Sequence, residues 1–283
     1  ERRRAALSMH VRRINRVELL LPGADIPAAV AAFNDVLGGH LPAPEEVPQQ
    51  GVLSTADYAL GIELYGPTGP DSPRWSAFDT KPRRGAVGPI VFEVDDLDAA
   101  RAEVEDKGYR VQFAFGAPGV RQVHLDPERL FGYGITLTER ASEGLGVQPT
   151  NVRRFQRVEL LVAGEDIAAA IAVFRDVLGA DMAPPIHIEE HGILTTWDLR
   201  LGIEIFGPSR SDSRIAPHLA RKGRGAIGPI VFEVDDLDAS KAAVLAKGYR
   251  VQFEFGGAGE RQVHLDDSQL FGYGITFTER RAA

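Results

Sequence analysis

The sequence of 283 residues contains no cysteine, and its 40 acidic residues outnumber its 32 lysines and arginines. The absence of cysteine excludes disulfides, thiolate metal ligands and a cysteine nucleophile. A net charge of -8 argues against a nucleic-acid partner. No stretch reaches the roughly 18 apolar residues that a membrane-spanning helix needs. We therefore expect a soluble, cytoplasmic protein that binds a small molecule and neither nucleic acid nor membrane.

An internal repeat dominates what is present. The run GPIVFEVDDLDA at residues 88–99 returns unchanged at residues 228–239, and the runs RQVHLD and FGYGIT also occur twice. The repeat length is that of a domain, which is far longer than the unit of a stacked solenoid. The repeat predicts a flexible leader at 1–13, a first domain at 14–140, a linker at 141–154 and a second domain at 155–280.

Each half of a repeat predicts the same order of elements. An apolar run at 17–21 indicates a strand, and Asp25 and Gly38 are typical of the start and end of a helix. Strands at 51–58 and 60–65 follow, and the second half of the repeat restarts with a strand at 89–94. The aspartates of EVDDLDA are predicted to cap the next helix. Each repeat therefore has the α+β order β-α-β-β-(β) twice.

These residues resemble the vicinal oxygen chelate superfamily, which includes glyoxalase I, extradiol dioxygenases and bleomycin-resistance proteins. The most specific stretch, GPIVFEVDDLDAARAEVEDKGYRV, is similar to the strand and helix that begin that family's second module. The resemblance covers nearly the whole chain outside the leader and linker. It implies two tandem domains, each of paired βαβββ modules that form a curved sheet around a cup. That cup commonly holds a divalent metal.

The resemblance also implies four metal-ligand positions in each repeat, and this sequence departs from most of them. Proline has no side-chain donor atom, and arginine stays protonated and repels a cation. The sequence therefore predicts that the usual metal site is absent and that no cofactor is bound. The family positions are occupied by Arg16, Glu63, Pro89 and Thr136 in the first repeat, and by Arg157, Glu204, Pro229 and Thr276 in the second.

A charged cluster is predicted in place of the metal. Strand alternation puts Arg16 and Glu18 on one face, and the resemblance brings Glu63 into the same cup. A guanidinium between two carboxylates would supply a base, an acid and a group that stabilises an anion. The alternative is an ion pair that only joins two strands. The second repeat offers the same set as Arg157, Glu159 and Glu204.

Two histidines extend this hypothesis. His124 and His264 occur in identical RQVHLD strands, and either could serve as a second acid. A relocated metal site of Glu18, Glu63 and His124 is a further alternative, because such ligands suit Mn, Fe or Zn. The favoured interpretation of each histidine is a side chain on a half-buried strand that is bonded to a neighbouring carbonyl.

Aromatic residues are the candidate substrate-binding groups. Tyr133 and Tyr273 of the FGYG turns are predicted at the rim of the cup as hydroxyl donors, or else as packing aromatics, which is the favoured reading. Trp197 has Ala56 at the equivalent position of the first repeat. This difference predicts two pockets of unequal shape, or one working pocket and one that only supports it.

Three functions fit the sequence. The leading prediction is an enzyme of isomerase, epimerase or lyase type that acts on a small oxygenated or aromatic molecule by acid/base chemistry. The second is a metal-dependent dioxygenase or lyase that uses the relocated set. The third is a non-catalytic protein that binds or sequesters a small molecule or drug. Fused domains commonly replace a homodimer, so we expect a monomer or a weak homodimer.

Overall fold

The structure is a computed structural model that describes residues 11–72, 85–140, 152–257 and 259–280. The elements described for the first repeat are β1 Val11–Leu20, α1 Ile26–Leu37, β2 Glu45–Val47, β3 Val52–Asp57, β4 Ile62–Pro67, β5 Ala86–Val94, α2 Leu97–Asp106, β6 Val111–Ala117, β7 Val120–Leu125 and β8 Ile135–Arg140. Those of the second repeat are β9 Val152–Leu161, α3 Ile167–Leu178, β10 Ile186–Ile188, β11 Ile193–Asp198, β12 Ile203–Pro208, α4 Ala216–Lys222, β13 Ile227–Val234, α5 Leu237–Ala246, β14 Val251–Gly257, β15 Glu260–Leu265 and β16 Ile275–Arg280. None of these helices has the length and apolar character needed to cross a membrane.

Each repeat contributes one eight-stranded sheet. The strand order is β2-β3-β4-β1-β5-β8-β7-β6 in the first sheet and β10-β11-β12-β9-β13-β16-β15-β14 in the second. The pairs β1–β4, β5–β8 and β13–β16 are parallel, as expected when a helical crossover separates the first strand of a module from the rest. The neighbouring hairpins are antiparallel. This arrangement confirms the predicted α+β fold of paired βαβββ modules.

Several helix ends follow from residues recognised in the sequence, although Asp25 makes no side-chain cap bond at the start of α1. The carboxylate of Asp96 accepts the N–H of Ala99 at 2.9 Å, and that of Asp236 accepts the N–H of Ala239 at 2.8 Å. Each bond satisfies a backbone donor that the first helical turn would otherwise leave unpaired. Gly38 ends α1 with φ 63, a left-handed conformation that glycine adopts without a steric penalty. The predicted caps of EVDDLDA are therefore confirmed.

Several element boundaries differ from the prediction. β1 begins at Val11 and β9 at Val152, so parts of the predicted leader and linker are strand. The apolar pattern did not identify these strand starts because each contains a pair of arginines. In the structure these arginines form ion pairs, with Arg12 3.2 Å from Glu93 and Arg154 2.7 Å from Glu233. The short strands β2 and β10 and the helix α4 also lie in segments for which the sequence predicted no helix or strand. The rest of the leader and linker, residues 1–10 and 141–151, lies outside the described residues.

The chain forms two compact units, and their boundaries differ from those of the sequence repeats. Among the described residues, unit one takes 11–15, 89–140 and 160–226. Unit two takes 16–72, 85–88, 152–159, 227–257 and 259–280. Each unit therefore combines most of the second module of one repeat with most of the first module of the other. This division differs from the predicted domains at 14–140 and 155–280.

Candidate functional site

A buried arginine lies between two glutamates in unit two. Nε of Arg16 lies 2.5 Å from Oε2 of Glu63, and its NH2 lies 2.8 Å from Oε1 of Glu18. The parallel pairing of β1 with β4 sets Glu18 directly beside Glu63, and strand alternation puts Arg16 on the same face. The predicted contact between Arg16 and the two carboxylates is therefore present.

Neighbouring strands fix this cluster further. The hydroxyl of Ser54 on β3 donates to Oε1 of Glu63 at 2.7 Å, so both oxygens of that carboxylate are engaged. The guanidinium carbon of Arg16 lies 5.8 Å from the ring centre of Tyr58, within the range of a cation–π contact. Ser54 and Tyr58 were missed from the sequence. Ser54 could have been identified from the β3–β4 hairpin. Ala56 lies opposite Glu63, and Ser54, two residues before Ala56, points to the same face of the sheet.

The packing beside Glu18 depends on a glycine. A Cβ at Gly88 on β5 would lie 3.1 Å from the Cβ of Glu18, closer than side chains normally approach. Gly88 thus leaves room for the Glu18 side chain, and it belongs to the GPIV run that both repeats share.

The electrostatics of the cluster keep Arg16 charged. Burial alone would lower the pKa of its guanidinium, but the charges of Glu18 and then Glu63 outweigh burial and raise that pKa above its usual value. Two carboxylates and one guanidinium carry a net charge of minus one. The cation also relieves the repulsion that would arise between two adjacent ionised carboxylates.

The second repeat builds a different network around its equivalent arginine. Arg157 is buried in unit two, with NH2 3.5 Å from Glu159 and NH1 3.2 Å from Glu260. NH1 also donates to the side-chain oxygen of Gln156. Glu260 on β15 accepts the hydroxyl of Thr278 at 2.6 Å. The sequence analysis did not identify Glu260 as part of this cluster. It could have done so, because the equivalent residue of the first repeat is the apolar Val120.

Glu204 and Trp197 lie together in unit one. Oε1 of Glu204 accepts the hydroxyl of Thr195 at 2.5 Å, as Glu63 accepts that of Ser54. The antiparallel register sets Trp197 directly opposite Glu204, so the indole and the carboxylate share one face of the sheet. A substrate-binding role for Trp197 stays a prediction.

Each predicted histidine is held by a threonine and stacked on a phenylalanine. Nδ1 of His124 lies 2.7 Å from the hydroxyl of Thr136, and its ring stacks on Phe113 with ring centres 3.9 Å apart. The histidine is bonded to a neighbour within the sheet, but the partner is a threonine hydroxyl and not the predicted carbonyl. A role as a second acid stays a prediction.

His264 repeats these contacts and adds another. Its Nδ1 lies 2.8 Å from the hydroxyl of Thr276, and its Nε2 lies 3.0 Å from Oε1 of Gln262. An amide oxygen only accepts, so Nε2 donates to Gln262. Both ring nitrogens are engaged, and the ring would have to break a bond to transfer a proton to a ligand.

Tyr133 and Tyr273 are packing aromatics, which is the interpretation that the sequence favoured, and the alternative of rim donors does not hold. Both are almost fully buried. The hydroxyl of Tyr133 bonds the carbonyls of Leu161 at 2.9 Å and Ala226 at 2.7 Å. The hydroxyl of Tyr273 bonds two carbonyls at 2.6 Å each, those of Leu20 and Ala86. Burial raises the pKa of both phenols. Each tyrosine therefore joins two modules within its own unit instead of facing a ligand.

The comparisons with known proteins agree with this architecture. The family model of the Glyoxalase/Bleomycin resistance protein/Dioxygenase superfamily matches residues 13–123. The chain is 31% identical over 133 residues to the ethylmalonyl-CoA/methylmalonyl-CoA epimerase of Cereibacter sphaeroides, a match that covers 45% of this chain and 97% of that protein. The chain therefore belongs to the Glyoxalase/Bleomycin resistance protein/Dioxygenase superfamily, as the sequence motifs predicted.

Solved structures show the same fold over nearly the whole chain. A mutant of 4-hydroxymandelate synthase from Streptomyces coelicolor has a TM-score of 0.74 at 14% identity, covering 96% of this chain and 94% of that one. The Mn(II)-bound glyoxalase from Novosphingobium aromaticivorans has a TM-score of 0.67 at 14% identity, covering 96% of this chain and 83% of that one. At these identities the likeness establishes the fold alone.

The residues at the family's ligand positions do not fit a divalent cation. Arg16 is a cation, Pro89 has no side-chain donor, and both oxygens of Glu63 are bonded by Arg16 and Ser54. The relocated set of Glu18, Glu63 and His124 is not supported either. Among the described residues no group of three or more His, Asp or Glu side chains is placed to hold a metal ion.

Proposed function

We propose that the first repeat carries an acid/base site that moves a proton at a carbon atom next to a carbonyl group. The observation that supports this proposal is the buried Arg16 guanidinium between Glu18 and Glu63. A carbon acid of this kind needs a base for its proton and a positive group for the resulting oxyanion. The epimerase name of the Cereibacter relative supports the same class of reaction.

The contacts of Glu63 suggest how the roles divide. One oxygen of Glu63 holds Arg16 and the other holds Ser54, so this carboxylate acts as a positioning residue. Glu18 is then the base that takes the proton from carbon. The electron pair of the broken C–H bond moves into the carbonyl, and the enolate oxygen is stabilised by the N–H groups of Arg16. Return of the proton from Glu18 to the same face restores the starting molecule, whereas delivery of a proton from water to the opposite face of the enolate carbon completes an epimerisation.

The experiment follows the proton. Full-length protein is incubated with methylmalonyl-CoA in deuterium oxide, and mass spectrometry measures deuterium at the carbon between the two carbonyl groups. Glu18→Gln should slow exchange by about 100-fold, the lower end of what a positioned base contributes. Glu63→Gln should slow it less and be partly rescued by Glu63→Asp, as expected of a positioning residue.

The second repeat provides the matched control. Glu159→Gln alters the equivalent position beside Arg157 and should leave most of the exchange intact. Exchange that survives Glu18→Gln unchanged would contradict the proposal. Tight binding of methylmalonyl-CoA without any exchange would favour the binding-protein alternative.

A chelator separates this proposal from the metal-dependent alternative. Exchange should be unchanged after treatment with EDTA, and elemental mass spectrometry should find no stoichiometric Mn, Fe or Zn. Loss of exchange with EDTA and its restoration by Mn would contradict the metal-free mechanism and support a metal enzyme.

A further inference from the structure

A serine, a histidine and a glutamate form a hydrogen-bonded chain in unit one, separate from the Arg16 cluster. Nε2 of His187 lies 2.5 Å from Oγ of Ser209, and Nδ1 lies 2.6 Å from Oε1 of Glu189. This is the order of nucleophile, base and orienting acid that activates a hydroxyl in acyl-transfer enzymes. Such a triad is recognised by geometry and not by the order of its residues along the chain.

The backbone holds the three residues together. His187 is the central residue of β10, and Glu189 opens the short turn that follows it. Gly192 closes that turn with φ 60 and accepts the N–H of Ser209 at 2.8 Å. The segment after β12 is therefore tied to the turn next to β10, and the Ser209 hydroxyl is brought to the imidazole.

The first repeat shows that this backbone does not require the triad. The N–H of Thr68 donates to the carbonyl of Gly51 at 2.9 Å, the same tether as in the second repeat. Glu46 and Pro48 occupy the positions of the histidine and the glutamate. The hydroxyl of Thr68 accordingly turns to the carbonyl of Gly51 at 3.0 Å. The two hydroxyls thus differ in direction on a matched backbone, and only that of Ser209 meets a base.

The hydrogen bonds define the tautomer of the histidine. Glu189 accepts a hydrogen bond from Nδ1–H, so in the neutral ring Nε2 is the acceptor of the Ser209 hydroxyl. Ser209 is therefore activated by a base that is itself held in orientation.

We propose that Ser209, His187 and Glu189 form a second, acyl-transferring site that hydrolyses small carboxylic esters. Oγ of Ser209 attacks the ester carbonyl while His187 takes the hydroxyl proton. His187 then gives this proton to the departing alkoxide as its C–O bond breaks. Water activated by His187 cleaves the acyl-serine ester, releasing a carboxylic acid and restoring the serine.

The exposure of the site determines the kind of ester. The side chains of His187 and Glu189 are 39% and 78% exposed. An open site of this kind gives little binding energy from burial, so it selects for reactive, unhindered esters. Exposure also weakens the hydrogen bond between Glu189 and His187 by solvent screening, and the expected rate is that of a slow esterase.

The experiment uses full-length protein with 4-nitrophenyl acetate and a fluorophosphonate probe. Tandem mass spectrometry should find the probe on Ser209. Ser209→Ala and His187→Glu, the latter copying the first repeat, should each lower ester hydrolysis by about 100-fold. Glu189→Gln should lower it by about tenfold. All three sites lie at the surface, and thermal unfolding checks that the variants are folded.

Thr68→Ala is the matched control, because it removes the equivalent hydroxyl, which bonds the carbonyl of Gly51 instead of a histidine. It should leave hydrolysis and labelling unchanged. Hydrolysis that persists in Ser209→Ala, or a probe adduct on another residue, would overturn the proposal. This outcome is independent of the deuterium exchange at the Arg16 cluster, so either proposal can fail without the other.

Discussion

Arg16 and Arg157 hold equivalent positions on β1 and β9, and each is buried beside the glutamate two residues further along its strand. Their other carboxylate contacts come from different strands. Arg16 bonds Glu63 on β4, whereas Arg157 bonds Glu260 on β15. A buried cation needs a countercharge, but the fold offers more than one strand from which it can come. The duplicated arginines therefore sit in sites of different chemistry.

The same lesson applies outside these clusters. Ser209 meets a base in the second repeat, while Thr68 on a matched backbone bonds a carbonyl. In contrast, the buried tyrosines make the same kind of contact in both units. The two repeats thus share the tyrosine contacts that join modules, whereas their other polar side chains form different contacts. Substitutions made in pairs, one in each repeat, test this distinction.

The largest effect is expected from Arg16→Met and Arg157→Met. Each removes the cation from two partly buried carboxylates, and breaking such a pair costs about 3 kcal/mol, the lower end of the range for buried pairs. The two arginine side chains are similarly buried, at 7% and 5% exposed, so the losses should be similar. Urea unfolding measures both. A loss in only one variant would show that the clusters differ in stability as well as in chemistry.

Tyr133→Phe and Tyr273→Phe should have equal, intermediate effects. Each removes a hydroxyl that bonds two buried carbonyls, and a lost bond of this kind costs about 1–2 kcal/mol. Equilibrium unfolding of the two variants and of the double variant measures the costs. Unequal losses would contradict the equivalence of the two tyrosines.

Glu260→Val tests the residue that sets the second cluster apart. It installs the side chain found at Val120 and removes the contacts with Arg157 and Thr278. We expect a loss of about 1 kcal/mol, because the glutamate is partly exposed and Thr278 also bonds the carbonyl of Arg261. Chemical denaturation measures this loss, with Glu254→Val as the control. Glu254 pairs with Lys241 at the surface, so its removal should have almost no effect.

The smallest effect is expected from a pair of partly exposed aspartates whose arginine partners lie at the surface. The hydroxyl of Ser268 and the guanidinium of Arg250 lower the pKa of Asp266 to about 2. The N–H of Glu128 and the guanidinium of Arg110 lower the pKa of Asp126 in the same direction. A lowered folded-state pKa means that the ionised form favours folding. The contribution is full above the unfolded value of about 3.9 and is lost as the pH falls through the folded value.

Asp266→Asn should therefore lower the unfolding temperature slightly at pH 7. The difference from the wild type should shrink between pH 4 and about pH 2, the range set by the two pKa values of Asp266. Differential scanning calorimetry across this range measures it, with Asp126→Asn as the partner variant. A difference that does not depend on pH would show that the aspartate acts through packing and not through its charge.

Much of the fold and part of the candidate site were predictable from sequence. The repeat, the capping aspartates and the family resemblance depend on local patterns, and the structure agrees with them. Strand alternation placed Arg16 and Glu18 on one face, and the family resemblance brought Glu63 to them. The contacts of Tyr133 and Tyr273 could not be predicted in this way. The sequence of a glycine-rich turn does not show which module its tyrosine packs against.

The sequence alone determined the family, the α+β modules and the glutamate beside each buried arginine, because these depend on periodicity and on residues close in the chain. Only the tertiary structure decided which carboxylate completes each cluster, how modules from the two repeats combine in one unit, and how Ser209 reaches His187. Those contacts join side chains far apart in sequence. They depend on strand register and packing between modules, which no local pattern records.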